Sequence, residues 1–240
     1  MASRNVVLRA SAIESLFHPL GIRVIAPERP GFGLSTVQPN RRIMGWPADI
    51  QALARHLSLS RFAILGGSGG GPYALACAQG LPQDMMSAVG VIAGAGNQWI
   101  RDFLQKDQKQ HNTPINERTA EFIRILFEPF AQGAGPAAYE AKLLSQDWGI
   151  DFGNITYNNL RIWHAGKDWN SPLPMTEYYV KLLPNRPYFK VFEDDTHFTM
   201  HRNLQKILSE LVPESSKQDS ETLPRLIGSK RLDQRTSPLQ

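Results

Sequence analysis

The sequence predicts an α/β protein, with a mostly parallel sheet flanked by helices. Three observations lead there. Short apolar runs such as Ser87 to Gly94 and Leu160 to His164 alternate with segments of helical period, the pattern that strand-helix-strand crossovers produce. These runs are predominantly apolar rather than strictly alternating, as expected of strands covered on both faces. One run, Phe62-Ala63-Ile64-Leu65, breaks into Gly66-Gly67-Ser68-Gly69-Gly70 and then into the small-residue helix pattern Pro72 to Ala78, which places a serine at the pivot of a strand-turn-helix transition.

Each element follows in order. Ile22 to Pro27 reads as a buried strand ended by its proline, and Glu28-Arg29-Pro30-Gly31-Phe32-Gly33 as the tight loop after it. Trp46 to Leu57 reads as a helix: Ile50, Leu53, Ala54 and Leu57 form one apolar stripe, and Pro47 is tolerated in the first turn. The serine turn comes next, then the strand Ser87 to Gly94. From Ala95 to Asn159 strand character is lost and helical patterns such as Thr119 to Phe127 are broken by Gly133-Ala134-Gly135-Pro136, so a helical lid is expected over the sheet's carboxyl edge. Leu160 to His164 and Tyr188 to Phe192 are further strands, and Phe198 to Leu211 is a closing helix. Beyond Pro213 the sequence turns to Ser, Lys, Gln, Asp and Arg, the composition of a disordered tail. The expected organisation is a core over 1–94, a lid over 95–159, the second part of the core over 160–212 and the tail over 213–240.

Composition narrows the function classes. With 240 residues, 42% hydrophobic and 20% charged, the chain is an ordinary globular protein. A formal charge of +4, not gathered into a basic block, gives no case for a nucleic-acid partner. The single cysteine, Cys77, excludes an intramolecular disulfide and reads as a small buried hydrophobe. Neither a signal peptide nor a run of transmembrane length is seen, so a cytoplasmic location is the expectation.

The serine turn carries the chemistry. A strand folding abruptly into a helix forces its pivot into a strained conformation that small neighbours, here Gly67 and Gly69, permit. Ser68 then stands at the carboxyl end of the sheet as a candidate nucleophile, with the helix N-terminus behind it to stabilise a developing oxyanion. A phosphate-binding loop would carry a lysine after its glycines, and this one carries Pro72. Serine needs a base, and both a base and an acid follow later strands in the chain order Ser, Asp, His. Asp168 follows the turn Ala165-Gly166-Lys167, and His197 follows Glu193-Asp194-Asp195-Thr196. The rivals are His164 within a strand and His201 one turn past His197, for which hydrogen bonding or capping is the plainer role, and Asp194 and Asp195 on the histidine's own loop, for which surface solvation is. Trp99 and Trp169, beside the lid entry and the acid, are candidates for the wall of an apolar substrate pocket, with packing as the equal alternative.

The segment Ala26 to Ser35, the Gly-x-Ser-x-Gly turn, His164-Ala165-Gly166-Lys167-Asp168 and Asp195-Thr196-His197-Phe198 together resemble the α/β-hydrolase superfamily, in particular its small esterase-like and peptidase-like members. The resemblance spans roughly Gly21 to Leu211 and extends, by analogy, to hydrolases of fungal specialised-metabolite pathways. It implies an α/β-hydrolase fold and a serine hydrolase that cleaves a small ester, lactone or thioester of a secondary metabolite through Ser68, Asp168 and His197, with a small-molecule substrate and no metal or cofactor. Serine at the elbow, rather than aspartate, argues against an epoxide hydrolase or dehalogenase. The start of the chain departs from the family: no His-Gly pair, which normally completes the oxyanion hole, precedes Gly21. An N-terminally shortened sheet is therefore expected, and the alternative functions are a non-hydrolytic member that binds, cyclises or dehydrates a metabolite, or a truncated inactive homologue.

Overall fold

In the computed structural model the residues described are 17–93 and 132–212. Their core is a four-stranded sheet of β1 (Phe62–Gly67), β2 (Met86–Ile92), β3 (Leu160–Ala165) and β4 (Tyr188–Phe192), in the order β1-β2-β3-β4 with every neighbouring pair parallel. The helices are α1 (Trp46–His56), α2 (Gly71–Gly80), α3 (Ala134–Ser145), α4 (Leu173–Leu182) and α5 (Leu204–Leu211).

The period of two along the strands divides the interior into two layers. Val89 and Val91 of β2 with Leu160 and Ile162 of β3 face α2 and α4, where Tyr73, Leu75, Cys77 and Tyr179 complete the layer. Ala88 of β2 and Trp163 and Ala165 of β3 face the other way, onto Ile207 and Leu211 of α5. Val89, Val91, Ile162 and Trp163 are all fully buried, and each contributes on the order of 1.5–3 kcal/mol of hydrophobic stabilisation. The polar end of the Trp163 ring is satisfied as well, its Nε1 donating to Glu210 Oε2 at 2.9 Å. Helix α2 is buried along Gly71 to Ala78; Ala74, Ala76, Cys77 and Ala78 let it lie close between the sheet and α1, while Tyr73 and Leu75 fill the layer against it.

Registers Gly67↔Ile92 and Ala165↔Phe192 bring the carboxyl ends of the strands to one edge. The turns leaving β1, β3 and β4 therefore open on that edge, the place where α/β sheets bind ligands.

Two sequence expectations need correction and one is extended. Ile22 to Pro27 does not join the sheet; it runs without ladder hydrogen bonds, with Val24 41% and Ile25 37% exposed, because no strand lies beside it among the described residues. The stretch Gly133-Ala134-Gly135-Pro136 also begins a helix: Gly133 takes the non-helical φ 90° as the cap and Pro136 lies in the first turn of α3, where its missing N–H costs nothing, while the helical pattern before it lies outside the described residues. The closing helix starts later than Phe198, its first turns being the 3-10 segment Thr199–Asn203. The expected helix Thr119 to Phe127 and the tail over 213–240 lie outside the described residues.

Candidate active site

Ser68 sits at the end of β1 with φ 49°, a left-handed conformation that is strained for a residue with a side chain. The steric demand falls on Gly66 rather than on Gly67, where a Cβ would meet nothing closer than 4.0 Å. A Cβ on Gly66 would fall 2.3 Å from the carbonyl oxygen of Gly70 and 2.8 Å from Ala74 Cβ, so the strand and the helix can approach this closely only over a glycine. The chain turns through a 3-10 segment, Ser68–Gly70, directly into α2, whose free N–H groups and positive dipole end lie behind the serine.

The turns after β3 and β4 are zipped together. Gly166 N donates to Phe192 O at 2.8 Å and Lys167 N donates to Asp195 O at 2.9 Å. Gly166 is compulsory here too, since a Cβ would meet Glu193 O at 2.6 Å. This pairing brings Asp168 and His197 side by side. Asp168 is buried; its Oδ1 accepts from Asn170 N at 2.9 Å and Ser171 N at 2.8 Å, which leaves Oδ2 facing His197 Nδ1 at 2.8 Å. Because a carboxylate only accepts, His197 Nδ1 carries the proton and Nε2 presents its lone pair. Nε2 lies 3.0 Å from Ser68 Oγ, so the hydroxyl donates to the ring. The structure thus joins Ser68, His197 and Asp168 in one continuous chain of hydrogen bonds.

The rivals have other work. Asp195 fixes the histidine's loop: Oδ1 accepts from Thr199 Oγ1 at 2.7 Å and Oδ2 from Asn203 Nδ2 at 2.6 Å. Asp194 pairs with Lys167 in solvent at 2.8 Å, and that pairing lowers its carboxyl pKa. His164 is fully buried, with Nε2 2.8 Å from Ser171 O and Nδ1 3.2 Å from Thr176 Oγ1, and burial lowers its pKa. His201 turns its Nδ1 to Phe198 O. Burial pushes the Cys77 thiol up to about 12, which leaves it unreactive.

Trp169 lies beside Asp168 with 75% of its surface exposed, and Trp99 falls outside the described residues. An apolar groove of about 470 Å³ opens between Trp148, Phe152 and the outer side of α4, but neither Ser68, Asp168 nor His197 lines it. Among the described residues no group of three or more His, Cys, Asp or Glu side chains is placed to hold a metal ion, and no helix is long and apolar enough to cross a membrane.

Sequence reasoning assigned no role to a buried cluster behind the serine turn. Glu140 of α3 accepts from Tyr73 OH at 2.9 Å, pairs with Arg41 and lies 3.1 Å from Arg29 Nη1. Arg29 had a signal, its place in the tight loop Glu28 to Gly33. Glu140 had none, because only the folded chain brings α3 to that loop.

A family model described as alpha/beta hydrolase fold matches residues 4–120. The chain has the α/β-hydrolase fold. An esterase from Exiguobacterium antarcticum superposes with a TM-score of 0.63 at 20% identity, covering 87% of each chain. A meta-cleavage product hydrolase from Pseudomonas fluorescens IP01 gives a TM-score of 0.60 at 19% identity over 86% of each chain. A protein of the archaeon Nitrososphaera gargensis, from work on its carboxylesterases, gives 0.61 at 16% identity over 85% of this chain and 86% of the other. No curated protein matches the sequence significantly.

Proposed function

We propose that this α/β-hydrolase-fold protein is a serine hydrolase that cleaves a small ester, lactone or thioester through an acyl-enzyme on Ser68. One observation carries the reading: His197 lies 3.0 Å from Ser68 Oγ through Nε2 and 2.8 Å from Asp168 through Nδ1. Ser68 Oγ attacks the substrate carbonyl carbon while His197 Nε2 takes its proton. Asp168 accepts from Nδ1–H throughout, holding the tautomer and stabilising the imidazolium. Negative charge on the carbonyl oxygen meets the N–H of Gly69 and the positive end of α2. The imidazolium then protonates the leaving alcohol or thiol, and a water molecule, deprotonated by the same nitrogen, releases the acid from Ser68. The esterase and hydrolase relatives support the reaction class by analogy of fold.

Intact-mass labelling with a fluorophosphonate tests the proposal. A single adduct is expected, absent in Ser68→Ala and slowed at least about a hundredfold in His197→Ala. A cooperatively folded wild-type protein that forms no adduct would overturn the reading and favour a non-hydrolytic binding role.

A further inference from the structure

We infer that Arg29, held in place by Glu140, is a positioning residue for the oxyanion-binding peptide of the serine turn. This rests on the serine-hydrolase reading above. Gly69 follows the nucleophile directly, and its two peptide planes have different duties. The plane shared with Ser68 carries the N–H that faces the developing oxyanion; the plane shared with Gly70 carries the carbonyl, which accepts from Arg29 Nη1 at 3.1 Å. Glycine has no side chain to restrict rotation between two such planes. Fixing one by a charge-assisted hydrogen bond therefore restricts the other, and with it the direction of the N–H.

The guanidinium is itself fixed from three sides. It stacks over Phe32, 5.1 Å from the ring centre, and over Tyr73, 5.0 Å away. The same Nη1 lies 3.1 Å from Glu140 Oε1. Glu140 is buried and cannot easily move: its other oxygen accepts from Tyr73 OH at 2.9 Å and pairs with Arg41, whose Nη1 donates to Tyr73 OH at 2.6 Å. Burial raises the Tyr73 pKa to about 12, so the phenol stays protonated and keeps donating. Two guanidinium groups share one carboxylate, which leaves the cluster with one net positive charge behind the turn, the sign that favours an oxyanion. The arrangement also connects α3 to the serine turn, since Leu144 Cδ1 would lie 3.2 Å from a Cβ placed on Gly69.

Fluorophosphonate labelling kinetics on the full chain, resolved into the maximal rate and the half-saturating concentration, test this. Arg29→Ala is expected to lower the maximal rate by roughly ten- to a hundredfold, the scale set by small misplacements of reacting groups. The half-saturating concentration stays near wild type, and the thermal midpoint falls only modestly, because Glu140 Oε1 loses its Arg29 partner while Oε2 keeps Arg41 and Tyr73. Ethylguanidinium added to Arg29→Ala restores part of the rate, and Arg29→Lys, which keeps a donor but not the fork, lies between. An unchanged rate in Arg29→Ala overturns the inference. So does a rate that falls only in proportion to lost folded protein and is not rescued by ethylguanidinium or improved in Arg29→Lys. A folded wild-type protein that takes no label at all fails the parent reading instead, which separates the two.

Discussion

Gly66 and Gly70 flank the same serine, but the structure requires only one of them to be glycine. A Cβ on Gly66 would meet the Gly70 backbone at 2.3 Å, whereas one on Gly70 has nothing within 4 Å, and Gly70 already takes the helical φ −80°, ψ −16°. Gly66→Ala is therefore expected to lose about 3 kcal/mol or more, as overpacking of rigid backbone does. Gly70→Ala keeps its stability or gains up to about 1 kcal/mol from a less flexible unfolded chain. Urea unfolding of the two variants decides it; equal midpoints would mean that the strand and helix do not approach as closely as described. At this scale the sequence was legible where chemistry is local. Gly66 to Gly70 announced the turn because strand, glycines and helix are contiguous. The Arg29–Glu140 pair was not legible, because a carboxylate on an alanine-rich helix resembles an ordinary solvated residue until tertiary packing buries it.

The strands show the same division between local and non-local information. β2 and β3 were readable within a residue or two because they are buried on both faces, and β4, a half-buried edge strand, because its largely apolar run ends in turn residues. Ile22 to Pro27 has the same apolar character and yet is no strand of the sheet, since a run of apolar residues specifies an extended segment but not its neighbour. The loop carrying His197 is ordered by Asp195, which the sequence suggested was merely solvated surface and which the structure instead ties into the loop. Asp195 ties Thr199 and Asn203 to the end of β4 at 2.7 and 2.6 Å, which sets where the imidazole stands relative to Asp168. Asp195→Ala, which removes both bonds, is expected to cost about 1–3 kcal/mol in chemical unfolding and to slow phosphonate labelling of the folded protein. Asp194→Ala, one residue earlier but with its side chain 96% exposed, should change neither. Equal effects of the two substitutions would refute an ordering role for Asp195.

At the scale of the whole molecule, one buried group couples folding to pH. His164 is on β3, paired with Val191 of β4, and its ring is closed in by Ser171 and Thr176, with Asp168 Oδ2 3.8 Å from Nε2. Burial lowers its pKa below the ordinary 6.5 and outweighs the opposite pull of the Ser171 carbonyl, Asp168 and Glu177; His197 acts in the same direction as burial. Below the ordinary value the unfolded chain takes up a proton that the folded chain resists, so the unfolded state binds more protons and stability falls as pH falls. Above it both states are neutral and the contribution is fully present. The thermal midpoint should therefore drop between about pH 7.5 and about pH 5.5, and His164→Gln, which cannot titrate, should drop less. Acid sensitivity of this origin disturbs the site as well as the fold, because protonating His164 adds a positive charge beside the carboxylate that orients His197. If the midpoints of wild type and His164→Gln fall in parallel over that range, the proton is taken up elsewhere and the buried histidine is not the group that makes the sheet sensitive to acid.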